Sequence, residues 1–111
     1  MDMTQERDGD VVVVRLSGRL DSGAAPGAEE RLSAAISGAV PRIAIDMSAL
    51  TYVSSAGLRV LLVAAKKVQR QNGKLALGGL AENVRAVFAA TGFDTIIAIE
   101  SDATAAIAAV R

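Results

Sequence analysis

The sequence contains no cysteine, no histidine and no tryptophan. Without cysteine there is neither a disulfide framework nor a thiol nucleophile, and with both residues missing the usual zinc and copper ligands are gone. The lack of imidazole also removes the commonest general base, which excludes most familiar hydrolase chemistry. Aromatic residues are reduced to Tyr52, Phe88 and Phe93, so almost nothing is available to stack on bases or sugars. Neither sign of charge is in excess, since twelve Lys and Arg balance twelve Asp and Glu. No net field therefore steers the chain toward nucleic acid or an anionic membrane. The longest stretch without a charge, the twelve residues from Met47 to Leu58, is interrupted by Ser, Thr and Gly and is too short to span a bilayer. The start carries Asp2, Glu6, Asp8 and Asp10 and no apolar run, unlike a signal peptide. The expectation is a soluble cytoplasmic protein with no nucleic-acid partner and no direct membrane insertion.

What is present is aliphatic. The 111 residues include 22 Ala, 12 Val, 10 Leu and 7 Ile, and hydrophobic residues make up 51% against 22% charged. That is enough for one buried core and too apolar for disorder, so residues 1–111 are expected to form a single domain.

The β-branched run Val11 to Leu16 suits a strand covered on both faces. The turn formers Ser17 to Gly23 follow, and Pro26 stands where a helix begins. Ala28, Leu32, Ala35, Ile36 and Ala39 then recur at helical spacing up to Pro41. Arg42 to Met47 reads as a second buried strand, followed by a loop from Asp46 to Gly57. The longest helical pattern runs from Ser55 to Gln71, with Leu58, Leu61, Leu62, Ala65 and Val68 on one face, and Asn72-Gly73 ends it. A short strand at Leu75 to Leu77 precedes a helix from Ala81 to Ala90 that closes at Gly92. Thr95 to Ile99 predicts a further strand, and Ser101 or Asp102 caps a last helix containing Ile107 and Val110. Met1 to Asp10 can add an antiparallel edge strand. Strands alternating with helices predict an α/β fold with a mostly parallel sheet of four to five strands and about four helices.

Parallel sheets expose functional groups where strands end and helices begin. The segment Tyr52-Val53-Ser54-Ser55-Ala56-Gly57-Leu58 puts two hydroxyls at such a point. One of them, Ser54 or Ser55, can serve as an N-cap; the small residues Ala56 and Gly57 leave room for another molecule to approach a hydroxyl. Val60 and Val63 fall on the helix flank near Ala56 and Lys67. Exposed, they would form the dry centre of an interface flanked by Arg59 and Arg70; buried, they would only widen the stripe that packs on the sheet. Asp21 and Asp46 could be paired for acid/base work or magnesium, but two acids without a third partner are more often a turn former and a strand-end cap. Gly78-Gly79 lacks the lysine and spacing of a phosphate loop and reads as a turn.

The stretch Asp46-Met47-Ser48-Ala49-Leu50-Thr51-Tyr52-Val53-Ser54-Ser55-Ala56-Gly57-Leu58 resembles the signature of the STAS family, the sulphate transporter and anti-sigma factor antagonist domains. Gly18-Arg19-Leu20-Asp21 resembles the family's second marker, and the order of elements agrees over the whole chain. The nearest in kind are free-standing bacterial anti-sigma factor antagonists. The resemblance implies a non-enzymatic partner switch without cofactor or metal. The unmodified protein binds an anti-sigma factor with serine kinase activity and releases the sigma factor, phosphorylation abolishes that binding, and a serine phosphatase resets the cycle. By motif position the phosphoacceptor is Ser55, and Asp21 contributes to the kinase-facing surface; together with Ser54, Ala56 and Gly57 at the helix start and Arg59, Val60 and Val63 on the helix flank it makes up the expected partner-binding surface. Ser54 stands where many members have Asp, and Ala56 where many have a second Ser. The alternative on the same fold is an accessory subunit that docks on the ATPase of a membrane transport complex. An enzyme using Asp21, Ser55 and a metal lacks any visible base or oxyanion site.

Overall fold

All four valines from Val11 to Val14 are buried, because both faces of their strand are covered. They open β2 (Val11–Leu20), which pairs antiparallel with β1 (Asp2–Asp8) and parallel with β3 (Arg42–Val53). Two further parallel strands, β4 (Lys74–Gly78) and β5 (Ala98–Glu100), complete a five-stranded sheet in the order β1-β2-β3-β4-β5. The computed structural model describes residues 1–36, 38 and 40–111. Ala39, expected to continue the apolar spacing of the first helix, lies outside the described residues.

Helices α1 (Ala25–Ala35), α2 (Ser55–Arg70) and α3 (Glu82–Thr91) connect successive parallel strands. When strands are laid down in order by connections of one hand, every crossover helix falls on the same face. Leu32, Leu58, Leu61, Val84 and Phe88 from these helices accordingly share one cluster with Val12, Val14, Leu16, Ile43, Ile45, Met47 and Leu77 of the sheet. The opposite face packs Val11, Val13, Ala44 and Ala76 against Ala106 and Val110 of α4 (Ala103–Val110). Each large aliphatic side chain buried in this way contributes about 1.5–3 kcal/mol.

Two expected boundaries move. The strand expected to end at Met47 continues to Val53, and β2 likewise continues through the expected turn to Leu20. Beyond Asp46, the last β3 residue paired with β4, β3 pairs with β2 alone. That side of the strand becomes an edge and no longer demands apolar residues. Register shifts between Arg15 and Ser17 and between Gly18 and Arg19 insert bulges, and Asp46 stabilises the first by accepting the Ser48 N–H at 3.0 Å and its hydroxyl at 2.7 Å. Asp-x-Ser, read as the start of a loop, is thus a bulge inside a strand.

The last strand is also displaced from Thr95–Ile99. Phe93–Thr95 form a single 3-10 turn and the strand begins only at Ala98. The Gly92 carbonyl accepts both the Thr95 N–H at 3.1 Å and its hydroxyl at 2.6 Å, so the β-branched Thr95 serves the turn instead of a ladder. Asp102, not Ser101, caps α4, accepting the Ala105 N–H at 2.8 Å. α2 ends as the sequence predicts: Asn72 takes up a φ of +60°, and the Gly73 N–H returns to the Val68 carbonyl at 2.9 Å.

Candidate functional site

The parallel strands β2 and β3 end side by side, Leu20 opposite Val53. The β2–α1 loop and the start of α2 therefore meet at one edge of the sheet. They are tied there by the Leu20 carbonyl, which accepts the Ser54 N–H at 2.9 Å and the Ser54 hydroxyl at 3.2 Å.

The two serines divide the work between them. Ser54 is the N-cap of α2: its backbone is extended and its Oγ accepts the Gly57 N–H at 3.1 Å. Ser55 is the first helical residue, its side chain exposed. Its hydroxyl is not spent on capping. The first turn of a helix leaves amides without intrahelical partners and carries the positive end of the dipole, so the position favours negative charge.

Ser55 opens onto a groove of about 390 Å³ between α1 and α2. Ser55, Ala56, Arg59, Val60 and Val63 line one wall, and Ser22, Ala25, Pro26 and Glu29 the other. Along the helices it continues past Leu32 and Ile36 to Ser33 and Lys67, where the Lys67 ammonium donates to the Ser33 hydroxyl at 2.6 Å. Arg59 and Glu29 are both exposed. The ion pairs among the described residues join Arg15 to Glu6 and Asp46, and Arg111 to Asp8, which leaves Arg59 and Glu29 unpaired.

Not every expected residue points into this groove. Val60 is only 5% exposed and Val63 40%, so the two valines do not form one surface patch. Val60 lies at a helical angle shared with the stripe that packs on α1, whereas Val63 turns outward with Ser55 and Arg59. Gly57 is buried, and a Cβ there would stand 2.5 Å from the Leu20 carbonyl oxygen. It serves close packing of helix on strand, and access to the hydroxyl is left to Ala56. Asp21 faces a separate concavity with Gly18, Arg19 and Arg31, and its Oδ1 accepts the Ala24 N–H at 2.9 Å, fixing the loop before α1. Arg70 lies at the far end of α2 from Ser55.

Sequence reasoning missed Ser22, Ala25 and Glu29. Ala25 and Glu29 are four residues apart on one face of α1 and Ser22 lies in the turn just before it, but only the packing of α1 beside α2 shows that they look at Ser55. On the opposite face of the sheet, Arg15 bridges Glu6 at 2.6 Å and Asp46 at 2.6 Å across three strands. Burial pushes the Asp46 carboxyl up, but the Ser48 hydroxyl and amide together with the Arg15 guanidinium outweigh it and hold the group below its ordinary value. The hydrogen bonds to Glu6 and then Asp46 raise Arg15 in turn. Asp21 and Asp46 thus have separate partners, and the described residues include no cluster of three or more acidic ligands for a metal. No helix among them is long and apolar enough to cross a membrane.

Comparison with known proteins adds a consistent picture. The family model for the STAS domain matches residues 2–106. BtrV of Bordetella bronchiseptica is 34% identical over 111 residues, spanning 100% of this chain and 96% of its own. The anti-sigma-B factor antagonist of Listeria monocytogenes is 32% identical over 99 residues, 87% of this chain and 85% of that protein. The phosphorylated form of the Bacillus cell fate determinant SpoIIAA superposes with a TM-score of 0.76 over 99% of this chain and 100% of that one. At 24% identity that likeness speaks to the fold.

Proposed function

This chain belongs to the STAS domain family, and on that premise we propose that it is an anti-sigma factor antagonist whose binding is switched by phosphorylation of Ser55. In the unphosphorylated state it binds an anti-sigma factor that is also a serine kinase, and the sigma factor is released. A kinase that modifies Ser55 ends the complex, and a serine phosphatase restores it. The protein acts as a binding partner, in the cytoplasm where transcription takes place, with residues 1–111 working as one domain.

The observation that carries this reading is the division between the two hydroxyls. Ser54 holds the helix start, so Ser55 can be modified without loss of the cap. A phosphate there brings roughly −1.5 to −2 charges to the mouth of the groove. A carboxylate of a docked partner near that mouth would be repelled, and each ~1.4 kcal/mol lost is tenfold in affinity. No rearrangement of the core is needed. Exposed Val63, two turns along the same groove wall from Ala56, supplies the apolar contact that such a docking surface requires.

The test is the intact mass of wild type and Ser55→Ala after incubation with ATP and extract of the native host. One phosphate gained by wild type alone is the expected result. No gain in either, in an extract with demonstrably active kinases, would overturn the switch and favour a constitutive docking subunit on a transport ATPase.

A further inference from the structure

The part of the groove that Ser55 lines carries one cation and one anion, Arg59 on α2 and Glu29 on α1; Lys67, further along, already donates to Ser33. Neither is engaged in an ion pair among the described residues. Arg59 follows Ser55 by four residues in an unbroken helix, so the two side chains stand one turn apart on the same exposed face, with about 5–6 Å between their Cβ atoms. Helical side chains lean toward the helix N-terminus, so the guanidinium of Arg59, one turn further on, reaches back toward a phosphate on Ser55 and is shaped to take two of its oxygens at once.

We propose that Arg59 is the intramolecular partner of a phosphate on Ser55, so that modification removes the cation of the groove from a docked protein as well as adding negative charge. This deepens the function proposed above and rests on it. In the unphosphorylated state Arg59 is free to meet an acidic side chain of the partner. After phosphorylation it is held in cis, and what the partner meets across the groove is the phosphate and Glu29. The switch then has two components, a repulsion gained and an attraction lost. Arg59 is a positioning residue in this scheme: it takes no part in phosphoryl transfer.

The test uses full-length chains with phosphoserine installed at position 55 during translation, in wild-type, Arg59→Gln and Arg59→Lys backgrounds. The phosphate resonance is followed by 31P NMR from pH 4.5 to 8, and a purely structural role for Arg59 would not move this titration. A cation in contact favours the dianion, so the midpoint in wild type is expected about half a unit below that of Arg59→Gln. Arg59→Lys should recover most of the difference, which should shrink in about 0.5 M salt. Wild type and Arg59→Gln titrating within about 0.1 unit of each other would overturn the proposal. Because the phosphate is installed and not enzymatic, that result is distinct from failure of the mass experiment, which would remove Ser55 as the native acceptor.

Discussion

Two adjacent serines at the start of α2 should respond to the same substitution to very different extents. In Ser54→Ala the Gly57 N–H loses its 3.1 Å acceptor and the Leu20 carbonyl loses one of two donors. The carbonyl keeps the Ser54 N–H at 2.9 Å and is not orphaned. The amide belongs to a residue pressed against Leu20, so water replaces the lost acceptor poorly. Loss of an N-cap costs about 0.5–2 kcal/mol, and the burial of Gly57 puts this one in the upper half, about 1.5 kcal/mol. Ser55→Ala removes an exposed hydroxyl that caps nothing and installs the best helix former, so its effect should stay within about 0.5 kcal/mol. Equilibrium unfolding in urea separates the cases. With a slope of about 1.5 kcal/mol/M for a domain of this size, Ser54→Ala should lower the midpoint by roughly 1 M and Ser55→Ala by less than about 0.3 M. If Ser55→Ala were the more destabilised, or if Ser54→Ala matched wild type, the assignment of the cap to Ser54 would be wrong.

Asp46 makes stability depend on acid. Its carboxyl is held below the ordinary value in the folded protein, so its contribution is fully present above the unfolded value of about 3.9 and is lost as the pH falls through the folded one. Arg15 is 45% exposed, which limits the contribution to about 1 kcal/mol. Urea unfolding should show wild type above Asp46→Asn at pH 6, with the gap holding down to about pH 4 and narrowing as the pH falls further; an unchanged gap in acid would contradict the assignment. The two valines of α2 should also separate. Val60→Ala leaves a void between α1 and α2 and should destabilise by about 2 kcal/mol, while Val63→Ala should stay within about 0.5 kcal/mol and instead weaken partner binding. The reverse order in thermal unfolding would refute the placement.

Much of this architecture is legible in the chain. The valine run of β2, the 3.6-residue spacing of α2 and the Asn72-Gly73 stop are local signals, and local physics decides them. What escaped depends on neighbours. Residues Ser48 to Val53 read as a loop because a strand paired on one side tolerates Ser, Thr and Tyr, and because a bulge uses the same residues as a turn. The breadth of the buried stripe that takes in Val60 is set by α1, which comes from 30 residues earlier. The motif singled out both serines, yet that Ser54 is the cap shows only in its bonds to the Leu20 carbonyl of β2 and the Gly57 amide. Glu29 could be associated with Ser55 only once the two helices were seen side by side.

The Leu20 carbonyl has a consequence for how fast and how tightly a partner can engage. Leu20 and Ser54 are 34 residues apart in sequence, but their bonds make the loop after β2 and the start of α2 a single stiff rim. A partner that touches both meets a surface already ordered, so little conformational entropy is lost on this side of the complex. Association then need not wait for two loops to find each other. A covalent mark on Ser55, as proposed above, would be presented on that same rim, where its charge would not be dissipated by local motion.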